Sequence, residues 1–359
     1  MKKLLCVVLT AVVMSFGVSF TGCSSKPEGG QEASKAAASK KIKMGISAFP
    51  GWFVYYIAKG EDFFKKNGVD VELVWFPVYS DSLQAFNSGN LDMLCIALPD
   101  APAPYLKGTK FKIVAVNDFS NGADGIVARS DRKIESLKDL KGKKVATEYG
   151  TIEHFFLLKA LETAGLKESD INLVNISIGD SAPAIISGAV DAAGLWEPAL
   201  SIALADKGIK RLYSSNQTPG LIQDVTIATE DLIKNNPQAV YGVINAFLDS
   251  IEFYKQNPDK SIEYMKVPAD VDTQTMKEIM AGGKIYGLKD MIAEMTQKQD
   301  SYLYGPYNAY QNALFLQSVN LIDNAPQDKD YFVNMFDPSF ILDIAKIREV
   351  SEGPDTSLK

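Results

Sequence analysis

The sequence predicts an α/β fold built as two similar lobes across one cleft, and three observations carry that prediction. First, a stretch recurs: Asp81 to Asp92 reads DSLQAFNSGNLD and Asp180 to Asp191 reads DSAPAIISGAVD, with Asp, Ser, Ala, Ser, Gly and Asp at matching offsets. Upstream, Asp70 to Val74 (DVELV) matches Asp170 to Val174 (DINLV), one residue out of step, as a single-residue loop difference produces. A repeat of about a hundred residues is too long for a solenoid unit and fits a duplicated lobe. Second, each copy reads as an alternating strand (Val71 to Phe76; Asn172 to Ile178), a short loop, a small-residue helix, Ser-Gly, then a strand starting near Asp92 or Asp191. Third, 46% apolar content is enough to core two lobes in a chain of this length. Ligands of open parallel sheets bind outside the carboxyl ends of the strands. Asp81 and Asp180 fall at that position, so facing lobes set them on opposite walls of one cleft.

The first residues read as an address. Lys2 and Lys3 form a charged start, Leu4 to Phe20 is an apolar run short for a membrane span, and Phe20-Thr21-Gly22-Cys23 closes it. That tetrapeptide resembles the bacterial lipobox, so residues 1–22 are expected to be a lipoprotein signal and Cys23 to be the lipidated first mature residue. Each buried CH₂ of an acyl chain contributes about 0.8 kcal/mol of membrane anchoring. Residues 23–41 are Ser, Ala, Gly, Lys and Glu-rich with no aromatic residue, a flexible tether. Cys6 leaves with the signal and Cys23 is taken by the lipid, so Cys95 has no intramolecular partner and reads as a buried small hydrophobe. The formal charge of −7 becomes −9 once Lys2 and Lys3 leave, which argues against nucleic acid.

The first lobe is expected to begin over 42–128. Lys43 to Ser47 is a short strand that runs into Ala48-Phe49-Pro50-Gly51-Trp52, where Pro and Gly stop it. Trp52 to Lys66 reads as a helix with Phe53, Ile57, Phe63 and Phe64 on one face and Asn67-Gly68 as its stop. A strand around Met93 ends at Leu98-Pro99-Asp100, a helix follows over Ala101 to Lys107, and Phe111 to Asn117 and Gly125 to Ala128 are strand-like. The second lobe, 129–222, has a strand at Lys144 to Thr147 and then Tyr149-Gly150-Thr151 opening a helix through Leu161. Asp224 to Thr229 (DVTIAT) is a lone strand expected beside Gly125 to Ala128, giving two crossings between lobes. The remainder of 223–359 reads as helices without strands, interrupted at Pro237, Pro258 and Gly305-Pro306, that pack on the first lobe.

Leu137 to Val145 (LKDLKGKKV), followed by Gly150-Thr151-Ile152-Glu153-His154 and a helix, resembles the second-lobe start of solute-binding proteins of nitrate, sulfonate and taurine ABC importers, and of their thiamine-precursor-like kin. Ala58 to Gly68 (AKGEDFFKKNG) resembles the first helix of that family, Ser88 to Asp92 its first-lobe turn, and Ser187 to Pro198 (SGAVDAAGLWEP) the stretch that usually ends in Trp-Asp-Pro. The resemblance implies a two-lobed periplasmic-binding fold of type II. Each lobe is then a mostly parallel sheet flanked by helices, and two crossings act as a hinge that closes on ligand. It also implies a monomeric, membrane-anchored binding protein outside the cytoplasm that delivers a small solute to ABC permease subunits, with no cofactor. Carried over, the ligand loops fall on Ala48 to Trp52, Tyr79 to Asp81, Pro99 and Asp100, Thr151 to His154, Asp180 and Ser181, and Trp196 and Glu197. The sequence departs from sulfonate-binding members at Asp81 and Glu153, where they carry small or apolar residues, and Glu197 replaces Asp.

Asp81, Asp100, Glu153, Asp180 and Glu197 therefore map to one rim that contains no Arg or Lys. Simple helix capping accounts for any one of them, at roughly 0.3 to 1 kcal/mol. Five carboxylates in a closing cleft repel, so either several point away or the solute is a small cation such as a guanidinium or amine compound. Trp52, Tyr79 and Trp196 then offer it aromatic faces, with Thr151 and Ser181 as hydroxyl contacts. The alternative solute is an aliphatic sulfonate, taurine, nitrate or thiamine precursor, since helix N-termini can hold an anion without Arg. His154, the only histidine, reads as a locally bonded helix residue rather than a metal ligand. A pyrimidine-synthesising enzyme branch shares the fold, but the cysteine-rich iron motif that resemblance implies for it is absent here, and no nucleophile, base and orienting group stand out as a set. A solute-sensing role beside a membrane receptor would look the same in sequence.

Overall fold

The computed structural model describes residues 41–348. The expected signal with Cys6, the expected lipidation residue Cys23 and all but the end of the expected tether lie outside the described residues. Eleven strands, β1 (Ile42–Ile46), β2 (Val71–Trp75), β3 (Met93–Ala97), β4 (Phe111–Ser120), β5 (Asp124–Arg129), β6 (Lys144–Thr147), β7 (Asn172–Asn175), β8 (Ala192–Trp196), β9 (Ile209–Ser214), β10 (Gln223–Thr229) and β11 (Gly283–Ile285), form two sheets. The first runs β11-β4-β10-β3-β1-β2 and the second β7-β6-β8-β5-β9.

The two sheets carry the same plan. In each, a central strand (β1 or β6) is parallel to both its neighbours, and an antiparallel strand (β10 or β5) lies beside the third. In the first sheet that antiparallel strand is the returning chain, whereas in the second it is the strand that enters the lobe. The sequence places β5 in the first lobe beside β10. In the structure, β10 pairs with β3 and β4 and β5 pairs with β8 and β9, so the chain crosses at residues 121–123 and 215–222, not at 128–130. The short run Asp124–Arg129 has no period that tells one sheet from the other. Helices expected to be strandless also contribute β11, which pairs with β4.

The internal repeat has a local reason. Asp92 Oδ2 accepts the Lys43 N–H at 2.9 Å, and Asp191 Oδ2 accepts the Lys144 N–H at 2.9 Å. Each aspartate thus fastens the start of the next parallel strand to the first residues of the central one. The preceding turn is made with Gly89 and Gly188, both left-handed (φ 74° and 81°), where a side chain would add strain.

The helix at Pro50–Gly60 begins with a proline whose missing N–H costs nothing in a first turn. It ends sooner than the sequence pattern suggests, because Asp62 turns left-handed (φ 57°) before a separate turn at Phe63–Lys66. In the second lobe Ile178 starts a helix, Ile178–Ser187, rather than ending a strand, because the Ser177 hydroxyl accepts from the Asp180 N–H. Strands β3 and β8 are buried throughout, and Cys95 lies in β3 with a buried free thiol. The long helix Pro237–Gln256 packs on Pro50–Gly60, where the rings of Tyr55 and Phe247 meet at 4.9 Å. The helix Gly305–Ser318 reaches the second lobe as well, through Phe315 against Phe155 at 4.5 Å.

Candidate functional site

The two lobes touch through side chains that the sequence places at the cleft. Trp52 and Tyr79 of the first lobe stack at 5.6 Å and 29°. Tyr79 meets Trp196, the last residue of β8, edge-on at 5.6 Å. All three rings are buried. The Tyr79 hydroxyl donates to Asp100 Oδ2 at 2.8 Å and accepts the Ala97 N–H at 3.0 Å. Asp100 also takes the N–H of Ile152, in the first turn of the second-lobe helix Ile152–Thr163, which links the lobes. Burial pushes the Asp100 carboxyl up to about 7, against the pull of those two donors.

Behind this aromatic wall the structure buries acids. Asp118 in β4, Asp124 at the start of β5, Asp224 in β10 and Glu153 in the helix Ile152–Thr163 are each no more than 1% exposed. Among the described residues one oxygen each of Asp224 and Glu148 has no hydrogen-bond partner, and the carboxylates of Asp118, Asp124 and Glu153 have no well-formed one: the Gly51 N–H is directed at Asp118, the Ser120 hydroxyl at Asp124, and Asp124 and Glu153 at each other. The hydroxyls of Ser47 and Thr147, at the carboxyl ends of the equivalent strands β1 and β6, are unpartnered too, as is Trp52 Nε1. Those are the strand ends where ligands of open α/β sheets bind.

The local chain is shaped to let these acids in. A Cβ on Gly51 would stand 2.1 Å from Asp118 Oδ1, and one on Gly194 would stand 2.8 Å from Glu153 Oε1, so a side chain at either position would displace the carboxylate. Asp124 lies opposite Trp196 in register and Asp224 opposite Ala97, the last residues of β8 and β3. The two aspartates therefore occupy equivalent positions in the two lobes. Asp124 and Glu153 are within hydrogen-bonding reach of each other, which needs a proton between them. Two bare carboxylates about 4 Å apart would repel by roughly 4 kcal/mol in a protein-like dielectric. Burial pushes Asp124 up to about 7, and burial with the neighbouring acids pushes Asp118, Asp224 and Glu153 well above the usual carboxylate range.

Among the described residues no Lys or Arg is buried. Arg211 is exposed, donates to Gly122 O and Ser214 Oγ at 3.3 Å, and lends its field to Asp124 and Glu197. An open groove of about 670 Å³ is lined by Glu197, Arg211, Gly122 and Gly282 among others.

Of the residues the sequence nominates, the structure brings together Trp52, Tyr79, Asp100, Glu153 and Trp196. The pairing of Asp81 with Asp180 is corrected: both are exposed on the first turns of their helices, and Asp180 accepts a 2.7 Å bond from the Ser177 hydroxyl. Ser181 spends its hydroxyl on Ser177 O (2.9 Å), Thr151 on Glu148 O (2.8 Å), and Glu197 accepts from the Ser201 hydroxyl and N–H. These are helix-start bonds, competing with any ligand contact. His154 is buried, with Nε2 3.1 Å from Glu168 Oε2 and Nδ1 accepting from the Gly150 N–H, a local bond as expected. Among the described residues no group of three or more His, Cys, Asp and Glu side chains is placed to hold a metal ion, and no helix is long and apolar enough to cross a membrane.

Sequence reasoning missed Asp118, Asp124 and Asp224. The signal was present: Asp124 to Ala128 (DGIVA) and Asp224 to Ala228 (DVTIA) are a second repeated motif, an acid heading an apolar strand. An aspartate is rarely buried without a partner, so an acid inside an apolar run deserved weight.

A putative aliphatic sulfonates-binding protein of Escherichia coli (strain K12) is 28% identical over 295 residues, 80% of this chain and 89% of its own. The taurine-binding periplasmic protein of the same organism is 25% identical, over 76% of this chain and 84% of its own. The crystal structure of the periplasmic aliphatic sulphonate binding protein SsuA from Escherichia coli superposes with a TM-score of 0.67, covering 79% of this chain and 94% of that one at 22% identity. This supports the two-lobed periplasmic-binding fold that the repeat and the resemblance predict. The family model described as NMT1/THI5 like matches residues 49–261, more than half of the chain and all of the cleft-facing acids, and the chain belongs to that family.

Proposed function

We propose that the chain is the extracytoplasmic solute-binding component of an ABC importer, a monomer held to the membrane by a lipid on Cys23, and that it closes its lobes on a small cation. The class of function rests on the family and on relatives named as binding proteins, which also favour a binder over an enzyme. The charge of the solute rests on one observation. Carboxylates from both lobes are buried without a cationic partner where the lobes meet, and among the described residues no Lys or Arg is buried with them. An unpaired buried charge costs several kcal/mol, so a bound cation that neutralises these acids gains what an anion would lose. The relatives' names favour a sulfonate or taurine, and taurine also offers an ammonium group. Calorimetric titration of the mature chain with small ammonium and amidinium chlorides, against ethanesulfonate, taurine and nitrate, tests the reading. Heat from the cations alone supports it, whereas tight binding of ethanesulfonate or nitrate with no cation response ends it. Mass spectrometry of the membrane fraction should find an acylated peptide beginning at Cys23; a mature chain starting elsewhere removes the anchor.

A further inference from the structure

Resting on the cation reading, we infer that the charged part of the solute is a flat group rich in N–H donors, of the guanidinium or amidinium class. It sits between the Asp118 and Asp224 carboxylates of the first lobe and the Asp124 and Glu153 carboxylates of the second. The unpartnered oxygens dictate the donor count. With one proton shared between Asp124 and Glu153, the Gly51 N–H directed at Asp118 and the Ser120 hydroxyl at Asp124, the carboxylate oxygens still short of donors come from four separate elements. A quaternary ammonium has no N–H to give, and a primary ammonium runs out of donors before these acceptors are met. A planar guanidinium spreads its N–H groups around one plane and meets carboxylates two bonds at a time. The pseudo-symmetry supplies acceptors on opposite sides: Asp124 and Asp224 face in from equivalent register positions in the two lobes.

The walls agree with a flat solute. Trp52 and Tyr79 present nearly parallel rings, with Trp196 edge-on to Tyr79, the kind of surface on which a delocalised cation stacks. Trp52 Nε1 is an unpartnered donor, which adds a place for one acceptor atom on the solute's substituent.

The test compares probes of one size. The mature chain is titrated by calorimetry with guanidinium, methylguanidinium and acetamidinium chlorides at non-denaturing concentrations, and with methylammonium, tetramethylammonium, calcium, taurine and neutral urea. We expect the first three to bind, acetamidinium more than about 10-fold better than methylammonium, and tetramethylammonium, calcium and urea not at all. Asp118→Asn and Asp124→Asn should each weaken the planar cations by about 100-fold. The same variants, without ligand, should melt no lower than the parent at pH 8, since each removes an uncompensated buried charge. A merely structural aspartate would melt lower and leave affinity alone. Absence of binding by all three planar cations up to about 10 mM overturns the inference. If methylammonium or tetramethylammonium then binds, the cation reading survives without it. If only taurine binds, both fail.

Discussion

At the scale of single residues, the behaviour of this protein is set by acids that have lost water without gaining a cationic partner. Asp100 and Asp124 are pushed by burial from an ordinary value of 3.8 up to about 7, and Asp118, Asp224 and Glu153 move in the same direction. A group whose folded-state pKa is raised lends stability that is fully present below its unfolded value and is lost as pH rises through the folded one. The ligand-free chain should therefore melt higher at pH 5 than at pH 8, with most of the loss between about 4 and 7 and the remaining acids extending it upward. His154, whose pKa is lowered chiefly by burial, works the other way as pH falls past its ordinary 6.5 and trims the gain at the acid end. A bound cation favours the ionised acids, so the melting shift it causes should grow with pH. Differential scanning calorimetry at pH 5 and pH 8, with and without acetamidinium, reads both slopes, and a ligand-free chain more stable at pH 8 would contradict the protonated cluster. Gly51→Ala should weaken binding more than 10-fold and lower stability by about 1–3 kcal/mol, because its methyl would stand within 2.1 Å of Asp118.

At the scale of elements, the repeat that marks the sequence turns out to be construction rather than recognition. Asp92 and Asp191 close their lobes by accepting the N–H of Lys43 and Lys144, and Ser177 and Asp180 start a helix. A carboxylate bonded to a main-chain N–H in a sheet has a structural reason to recur in both lobes. Asp191→Ala leaves the Lys144 N–H without that acceptor and also removes one of the partners of Arg132, at 3.4 Å. It should cost about 1–3 kcal/mol in urea unfolding with little change in cation affinity. A loss of affinity at unchanged stability would instead return this residue to the binding surface. The recognition acids sit on the strands that run antiparallel in each sheet, Asp124 on β5 and Asp224 on β10, next to the crossings at residues 121–123 and 215–222. Any change in the angle between lobes would move these acids relative to one another.

At the scale of the whole molecule, the lobes meet through Tyr79 and Trp196 and through Asp100 and the Ile152 N–H. Such a closed arrangement brings acids of both lobes together, which ionisation opposes and a cation or protons favour. Small-angle scattering should therefore give a larger radius of gyration for the ligand-free chain at pH 8 than at pH 5, and adding a binding cation at pH 8 should bring it down. A radius indifferent to both pH and a confirmed ligand would count against closure coupled to charge.

The sequence by itself determined two α/β lobes, their repeated plan and the family, and it nominated Trp52, Tyr79, Trp196, Asp100 and Glu153 as cleft residues. These are legible because strand and helix periods, turn residues and helix starts are local properties written over a few residues. Tertiary structure alone decided which acids are withdrawn from water. Asp81 and Asp180 look alike in sequence and both stay exposed, whereas Asp118, Asp124 and Asp224 are buried because β4, β5 and β10 are inner strands of their sheets and carry them to where the lobes meet. Burial of a charge depends on every element packed around it, and on which sheet a short strand joins, and neither is encoded in the few residues that surround an aspartate in the chain.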